Sequence, residues 1–143
     1  PHQHRCMLHR TVVVSHFCAL LASCGGGSDL LTETAVFAFR MEGLPASEEF
    51  RISTSSPQLI AQARGQLALS VSERRLFASG TIRAGNGGHN LNWSWHFESV
   101  SLVEAAIELC DGRPSTVEVN LDYWLNTVGR LCPWGSYVHA ELR

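Results

Sequence analysis

The sequence Leu21-Ala22-Ser23-Cys24 limits what can fold more than any other feature of this 143-residue chain. It ends an apolar run, Thr11 to Ala22, that follows two arginines, Arg5 and Arg10. The run is too short to span a bilayer but has the length of a signal-peptide hydrophobic region. We therefore expect cleavage before Cys24, with residues 1–23 as a leader outside the fold. Removing 23 of the 143 residues leaves 120, which suits one domain with a sizeable core.

The same motif resembles a bacterial lipoprotein signal, in which the cysteine at the new N-terminus takes a diacylglycerol on its thiol. This implies lipidation of Cys24 and a lipid-anchored protein outside the cytoplasmic membrane: periplasmic, outer-membrane or cell-surface. Gly25 to Asp29 is rich in glycine and serine, which form a flexible tether. We therefore assign residues 24–33 to the lipidated cysteine and its tether, and 34–143 to the domain. The alternative is that the apolar run is an N-terminal strand or helix packed on the domain.

The cysteine count becomes even once the leader is removed and Cys24 is set aside for the lipid. Of five cysteines, Cys6 and Cys18 are lost with the leader and Cys24 takes the lipid. Cys110 and Cys132 remain, and in an oxidising envelope we expect them to form one disulfide. As two metal ligands they would lack the close Cys-x-x-Cys spacing and the nearby histidines of such sites. We therefore expect no metal and no cofactor.

The charged residues exclude several function classes. All 11 basic residues are Arg, so the Schiff-base and P-loop chemistries that depend on lysine are excluded. Without Arg5 and Arg10 the domain has nine arginines against 13 acidic residues. Nucleic acids and anionic lipid surfaces require clustered positive charge. We expect neither as a partner, so contact with the membrane is expected only through the N-terminal lipid.

Hydrophobic periodicity predicts an α+β domain, a mostly antiparallel sheet with two helices packed on one face. Glu42 to Pro45 is a turn signal that joins the first two strands as a hairpin. Ser56 and Pro57 are typical of a helix start. Val100 to Leu109 fits a strand or a helix, and its β-branched residues favour a strand. The other predicted elements are strands at Thr34–Arg40, Glu49–Thr54, Leu76–Ala84, Leu91–Ser99 and Ser136–Leu142, a helix at Pro57–Leu69, and a helix carrying Val117, Leu121, Trp124 and Val128.

The segment Trp93 to Glu98 is the densest candidate site. Strand alternation places Trp93, Trp95 and Phe97 on one face and Ser94, His96 and Glu98 on the other. Same-face neighbours lie roughly 7 Å apart, so Glu98 can orient His96 and His96 can reach Ser94 as a hydrolytic triad. A half-buried strand commonly has this same pattern, and no Gly-x-Ser-x-Gly turn occurs in the chain. We expect His96 to hold neighbouring loops by hydrogen bonds, and keep the hydrolase as an alternative.

Two further segments have both a structural and a functional interpretation. Cys132-Pro133-Trp134-Gly135 predicts a tight turn before the last strand and, with Trp124, places aromatic rings near the expected disulfide. The rings either pack in the core or form the rim of a groove for a peptide or a sugar. Gly85 to Asn90 is either a hairpin connection or a binding loop, and as a rigid loop it would suit an inhibitor of extracellular proteases.

Several short motifs follow one another as in a known family. They are Phe50-Arg51-Ile52, Pro57 with Ile60 and Ala63-Arg64, Gly80-Thr81-Ile82, Trp93 to Phe97, Ala106 to Asp111, and Cys132-Pro133-Trp134. From Ala35 to Leu142 the sequence resembles small secreted bacterial domains named after a slime-mould calmodulin-binding protein. Members commonly have a longer acidic stretch before Cys-Pro-Trp than Asn120 to Leu131. Calmodulin recognition requires a basic amphipathic helix, which neither predicted helix provides, so the resemblance implies a family name and not that activity.

We therefore expect a secreted or envelope-anchored lipoprotein that acts as a non-enzymatic binding module for an extracellular protein or a small ligand. The alternatives are the hydrolase with Ser94, His96 and Glu98, and the extracellular protease inhibitor. The candidate binding residues are Trp93, Trp95, His96, Trp124 and Trp134.

Overall fold

The computed structural model describes residues 32–106 and 109–143. The predicted leader and the lipidated Cys24 lie outside the described residues. The strands are β1 (Ala35–Met41), β2 (Phe50–Thr54), β3 (Phe77–Ala84), β4 (Trp95–Val103), β5 (Arg130–Leu131) and β6 (Ser136–Leu142). The helices are α1 (Pro57–Leu67), α2 (Pro114–Val119) and α3 (Leu121–Tyr123), with a π-helical turn at Trp124–Val128 and 3₁₀ turns at Ala46–Glu48 and Val71–Glu73.

The described strands form two antiparallel three-stranded sheets, in the orders β2-β1-β6 and β4-β3-β5. The predicted α+β class with mostly antiparallel strands is confirmed. The prediction of a single sheet is not, because the strands form two sheets. The helices are not clearly gathered on one face: α1 packs against β6 and β4, and the π-helical turn packs against β3 and β5. No helix in the described ranges has the length and apolar character needed to cross a membrane.

The predicted hairpin and helix start are both present. β1 pairs with β2 in a register that places Ala35 opposite Thr54 and Phe39 opposite Phe50. The Leu59 N–H donates to the Ser56 Oγ over 3.4 Å, and this side-chain cap satisfies one of the free N–H groups at the start of α1. Local sequence signals therefore specify the β1–β2 hairpin and the start of α1.

Phe50 connects the cores of the two sheets. Its ring centroid lies 5.3 Å from that of Phe39 in the first sheet, and 5.8 and 6.2 Å from those of Phe97 and Trp95 in the second. All four side chains are buried in one hydrophobic cluster. Aromatic pairs at this distance are favourable beyond the area that they bury, so these four rings stabilise the contact between the sheets.

The fourth strand differs from its predicted bounds. Residues 91–94 form turns, with the Trp93 N–H bonded to Asn90 O and the Gly85 N–H bonded to Ser94 O. The strand β4 then runs from Trp95 to Val103. Its pairing with β3 changes register between Thr81 and Ile82, so Glu98 is an extra residue with no partner on β3. Such a bulge reverses which residues face the core: Trp95 and Phe97 are buried before it, and Leu102 after it. The predicted strand at Val100–Leu109 is therefore the continuation of β4 as far as Val103.

Candidate ligand-binding site

Trp134 is presented by a turn between the disulfide and β6. Cys132 and Pro133 are buried, and the Ser136 N–H donates to Pro133 O over 3.0 Å. Gly135 has a φ of +77°, a conformation that glycine adopts without steric cost. The Glu42 N–H donates to Gly135 O over 2.9 Å, which joins this turn to the end of β1. The predicted turn is therefore confirmed.

The disulfide lies directly before this turn. The Cys110 and Cys132 sulfurs are 2.08 Å apart and their Cα atoms 5.1 Å apart, so the predicted pair is confirmed. The Cys132 N–H also donates to Cys110 O over 2.7 Å. Both cysteines pack with Phe77 in a small buried cluster, with Ala106 and Val103 at its edge. This cluster is separate from the main core and lies beside the turn that carries Trp134.

Trp134 is held by two contacts and remains 47 % exposed. Its backbone N–H donates to Asp111 Oδ1 over 3.0 Å, and its ring centroid lies 6.5 Å from that of the buried Phe77. Asp111 follows Cys110, so the disulfide fixes the acceptor as well as the turn. The indole is therefore a large ring held on a rigid support.

A cleft of about 980 Å³ opens beside this ring, and we call it the Trp134 cleft. It is lined by Glu42, Gly43, Val71, Ser72, Arg74, Arg75, Phe77, Glu104, Ala105, Ala106, Trp134, Gly135, Ser136 and Tyr137. Its volume is at the upper end of the ~300–1,000 Å³ of clefts that take small ligands. The predicted aromatic-rimmed groove therefore has a counterpart at Trp134.

The lining includes three charged side chains that the fold leaves available. Glu42, Arg75 and Glu104 are exposed, and within the described part of the chain their side chains form no hydrogen bond or ion pair. They come from the end of β1, the segment before β3 and the segment after β4. A ligand can thus bind them without breaking an internal contact.

Arg74, in contrast, has a structural role. Its guanidinium donates to Val138 O over 2.7 Å and to Leu69 O over 3.1 and 3.2 Å. The Leu69 carbonyl follows the end of α1, where backbone oxygens lack helical partners. Arg74 therefore joins the α1 terminus to β6 and forms one wall of the cleft.

Ser136 carries a buried hydroxyl at the cleft. The side chain is only 4 % exposed and its Oγ has no hydrogen-bond partner in the described ranges. A buried hydroxyl without a partner is unfavourable, and because this oxygen is itself buried, it is not among the groups that the cleft offers to a ligand.

The other tryptophans among the predicted binding residues lie away from this cleft. Trp95 and Trp124 are buried in the main core. Trp93 is half-buried, with its ring centroid 6.3 Å from that of Trp95 and its indole N–H donating to Glu49 O over 2.8 Å. The structure thus brings Trp93 and Trp95 together and leaves Trp134 as the exposed indole of the four.

Two side chains of the predicted triad, those of His96 and Glu98, have other partners, and Ser94 is bonded through its backbone. The His96 Nδ1 lies 2.6 Å from Gly85 O, and because a carbonyl oxygen only accepts, Nδ1 carries the proton. The Glu98 carboxylate pairs with Arg83. The Ser94 backbone N–H donates to Glu118 over 2.9 Å. His96 was predicted to hold neighbouring loops by hydrogen bonds, and it is bonded to the loop that begins at Gly85.

The loop Gly85 to Asn90 is tied to both sheets. Asn90 is buried, its Oδ1 accepts from the Arg51 N–H over 2.8 Å, and its Nδ2 donates to Trp95 O over 2.9 Å. His89 and His96 meet edge to face with ring centroids 5.8 Å apart. Burial lowers the pKa of His89 below 6.5, and charge on His96 lowers it further, against a hydrogen bond to Gly87 O that raises it.

Within the described residues, no three His, Cys, Asp or Glu side chains approach closely enough to hold a metal ion.

Trp134 is the predicted binding candidate that lines the cleft, and its neighbours there were not predicted. Glu42, Arg75, Glu104 and Tyr137 stand far apart in the sequence and share no pattern, and only the packing of the two sheets places them together. The pair Arg74-Arg75 is too short a charge run to predict a site.

Comparisons with known proteins give one assignment. No curated protein and no solved structure matches the chain significantly. The family model described as the BP-74 N-terminal domain matches residues 33–143, which is most of the chain and includes every element of both sheets. The chain therefore belongs to the BP-74 N-terminal domain family.

Proposed function

We propose that the domain is a non-enzymatic binding module whose ligand occupies the Trp134 cleft. One observation carries the proposal: the half-exposed Trp134 indole contacts the Phe77 ring and lines the same cleft as Arg75 and Glu104. Within the described residues, the side chains of Arg75 and Glu104 are unpaired. Rigid aromatic rings give much contact area for little loss of conformational entropy. Free polar groups beside such a ring provide orientation.

Binding is favoured over hydrolysis by where the polar groups are engaged. Glu98 is paired with Arg83, and the His96 Nδ1 is bonded to a backbone carbonyl instead of a carboxylate. A hydrolytic triad requires the carboxylate to orient the histidine and the histidine to activate the serine. We therefore do not assign the module a reaction.

We further propose that the module acts at the cell envelope, carried by a lipid on Cys24. The support is the sequence Leu21-Ala22-Ser23-Cys24 after an apolar run, together with a disulfide that suits an oxidising compartment. Labelling with a radioactive fatty acid in a bacterial host should mark the full chain, and Cys24→Ser should abolish the label and release the protein from membranes. Cys18→Ser is the matched control, and label retained by Cys24→Ser would contradict this anchor.

The family resemblance does not lead us to propose calmodulin as the partner. The only basic residue of α1 is Arg64, whose guanidinium binds Glu33 and Glu141. The α2 and α3 segments carry Glu118 and Asp122 and no basic residue. A calmodulin target presents an amphipathic helix that is basic, and these helices are not.

The binding proposal is tested by affinity capture with the oxidised full chain. Immobilised wild type, Trp134→Ala and Leu91→Ala are exposed to envelope extract and spent medium, with and without calcium. Retained proteins are identified by mass spectrometry, and retained sugars after acid hydrolysis. Leu91 is 60 % exposed and lies outside the cleft, so it is a matched apolar control. We expect a component held by wild type and Leu91→Ala and lost from Trp134→Ala; equal retention by all three would overturn the proposal.

A further inference from the structure

The unpaired groups of the Trp134 cleft provide both hydrogen-bond donors and hydrogen-bond acceptors. Arg75 only donates, Glu42 and Glu104 as carboxylates only accept, and the Tyr137 hydroxyl does both. A sugar hydroxyl also donates once and accepts twice, so several hydroxyls on one ring match a mixed set of this kind. A ligand with one type of polar group would leave part of the set unpaired.

The ring of Trp134 supplies the apolar half of the site. The face of a pyranose ring carries axial C–H bonds, which are weakly positive, and an aromatic face is negative. The Trp134 ring is half-exposed and packs on Phe77, and the Trp134 backbone N–H is bonded to Asp111, so a flat sugar face meets a surface that is already ordered. From the indole, the unpaired groups, and the size of the cleft, we infer that the Trp134 cleft binds a neutral carbohydrate of a few linked rings. This inference rests on the proposed binding function.

The charges in the cleft disfavour ionic ligands. An anion attracted by Arg74 and Arg75 would also face Glu42 and Glu104, and a cation attracted by these carboxylates would also face the two arginines. Like charges at close range oppose binding. A wholly apolar ligand would remove Glu42, Arg75 and Glu104 from water without pairing them, which is costly. A neutral polyhydroxyl ligand avoids both penalties.

The backbone at the cleft disfavours an extended peptide. Peptides that add to a sheet edge bind through free backbone groups of the edge strand. At the start of β6, the Ser136 N–H is bonded to Pro133 O, and the Val138 oxygen is bonded to the Arg74 guanidinium. Two groups that such a peptide would need are therefore already engaged.

Calorimetric titration of the oxidised full chain tests the inference. The probes are cellotetraose, maltotetraose and chitotetraose, with acidic, basic and apolar octapeptides as the competing ligand class. We expect at least one tetrasaccharide to bind, and Trp134→Ala to weaken it by about tenfold or more, the effect of truncating an aromatic contact. Leu91→Ala should bind as wild type does. Between ~50 and ~500 mM salt the affinity should change by less than about twofold, because a neutral ligand is not screened.

A second pair of variants keeps the test valid if Trp134→Ala disturbs the turn. Glu42→Ala with Glu104→Ala removes two exposed carboxylates that the fold does not use, and should weaken the tetrasaccharide several-fold. Glu42→Gln with Glu104→Gln retains acceptor oxygens and should restore most of the affinity. Binding that none of these variants changes would overturn the inference.

The remaining outcomes separate this inference from the proposed function. Trp134-dependent binding of an octapeptide, with no tetrasaccharide bound, would overturn the carbohydrate and leave the cleft as a binding site. Binding of no probe would also overturn the carbohydrate inference, and the capture experiment would then decide the proposed function alone.

Discussion

The amide of Asn90 accepts a 2.8 Å hydrogen bond from the backbone N–H of Arg51, and this bond joins the β3–β4 connection to the first sheet. The Nδ2 of the same side chain donates to Trp95 O in the second sheet. Asn90→Ala should therefore leave two buried backbone groups unsatisfied and lower the free energy of unfolding by about 2–4 kcal/mol. Urea denaturation measures this change.

Asn92→Ala is the control for that variant. Asn92 lies two residues further along the same connection and is exposed, so its removal should change stability by less than about 0.5 kcal/mol. Equal stability of the two variants would contradict the role given to Asn90.

Gly80 marks the closest approach of β3 and β4. A Cβ built on this residue would lie 1.9 Å from Ser99 O and 2.8 Å from the Val100 Cα, both backbone atoms. Gly80→Ala must therefore displace one strand beside the bulge, and we expect a loss of about 3 kcal/mol, at the upper end of overpacking effects. Thermal and urea denaturation both report it.

Gly65→Ala gives the opposite expectation. Gly65 lies in α1, and a Cβ there meets no atom within 4 Å. Alanine should stabilise the helix by about 0.5–1 kcal/mol. Two glycine substitutions of the same kind should thus shift stability in opposite directions. A Gly80→Ala variant as stable as the wild type would refute the account of Gly80, and a destabilised Gly65→Ala would refute that of Gly65.

The disulfide should stabilise the domain mainly through the unfolded chain. Cys110 and Cys132 are 22 residues apart, and closing such a loop removes about 3 kcal/mol of unfolded-state entropy in the chain-entropy model. Cys110→Ala with Cys132→Ala should lower the free energy of unfolding by that amount. Added thiol reductant should weaken the wild type similarly and leave the double variant unchanged; a reductant effect on the double variant would point to another cause.

The sequence predicted the elements that local signals specify and missed what long-range packing decides. Ser56 with Pro57 identified the start of α1, and the Cys110–Cys132 pair followed from the cysteine count. The division into two sheets was not predicted, because alternation within one strand does not reveal its partners. The bulge at Glu98 reverses the alternation between Phe97 and Leu102, so the pattern of β4 appeared as two segments.

The residues of the candidate site also divide into those that a local signal predicts and those that only long-range packing decides. Trp134 was found because Cys-Pro-Trp-Gly is a local turn signal, whereas Trp93 and Trp95 look alike in sequence and only packing places them in or beside the core. The unpaired state of Glu42 and Arg75 depends on where every other charge lies, which a single sequence does not contain.

The burial of His89 makes stability dependent on pH below 6.5. The folded state lowers the pKa of this imidazole below its ordinary 6.5, first through burial and then through charge on His96. As the pH falls through 6.5, the unfolded chain takes up this proton more readily than the folded one. Stability therefore falls as the pH falls, and the free energy of unfolding should decrease from about pH 7 to about pH 5.

His89→Asn isolates this contribution. The asparagine amide can still donate toward Gly87 O, the partner of His89 Nδ1 at 2.9 Å, but it does not titrate. The variant should show a flatter profile over the same pH range, whereas Asn92→Ala, an exposed change on the same connection that removes no titratable group, should retain the slope of the wild type. Two carboxylates affect stability only at lower pH. A hydrogen bond from Ser70 holds the pKa of Glu73 below 4.5, and Arg64 holds that of Glu141 below 4.5. Their stabilisation is therefore lost only as the pH falls below that range. An unchanged slope in His89→Asn would show that another group carries the dependence.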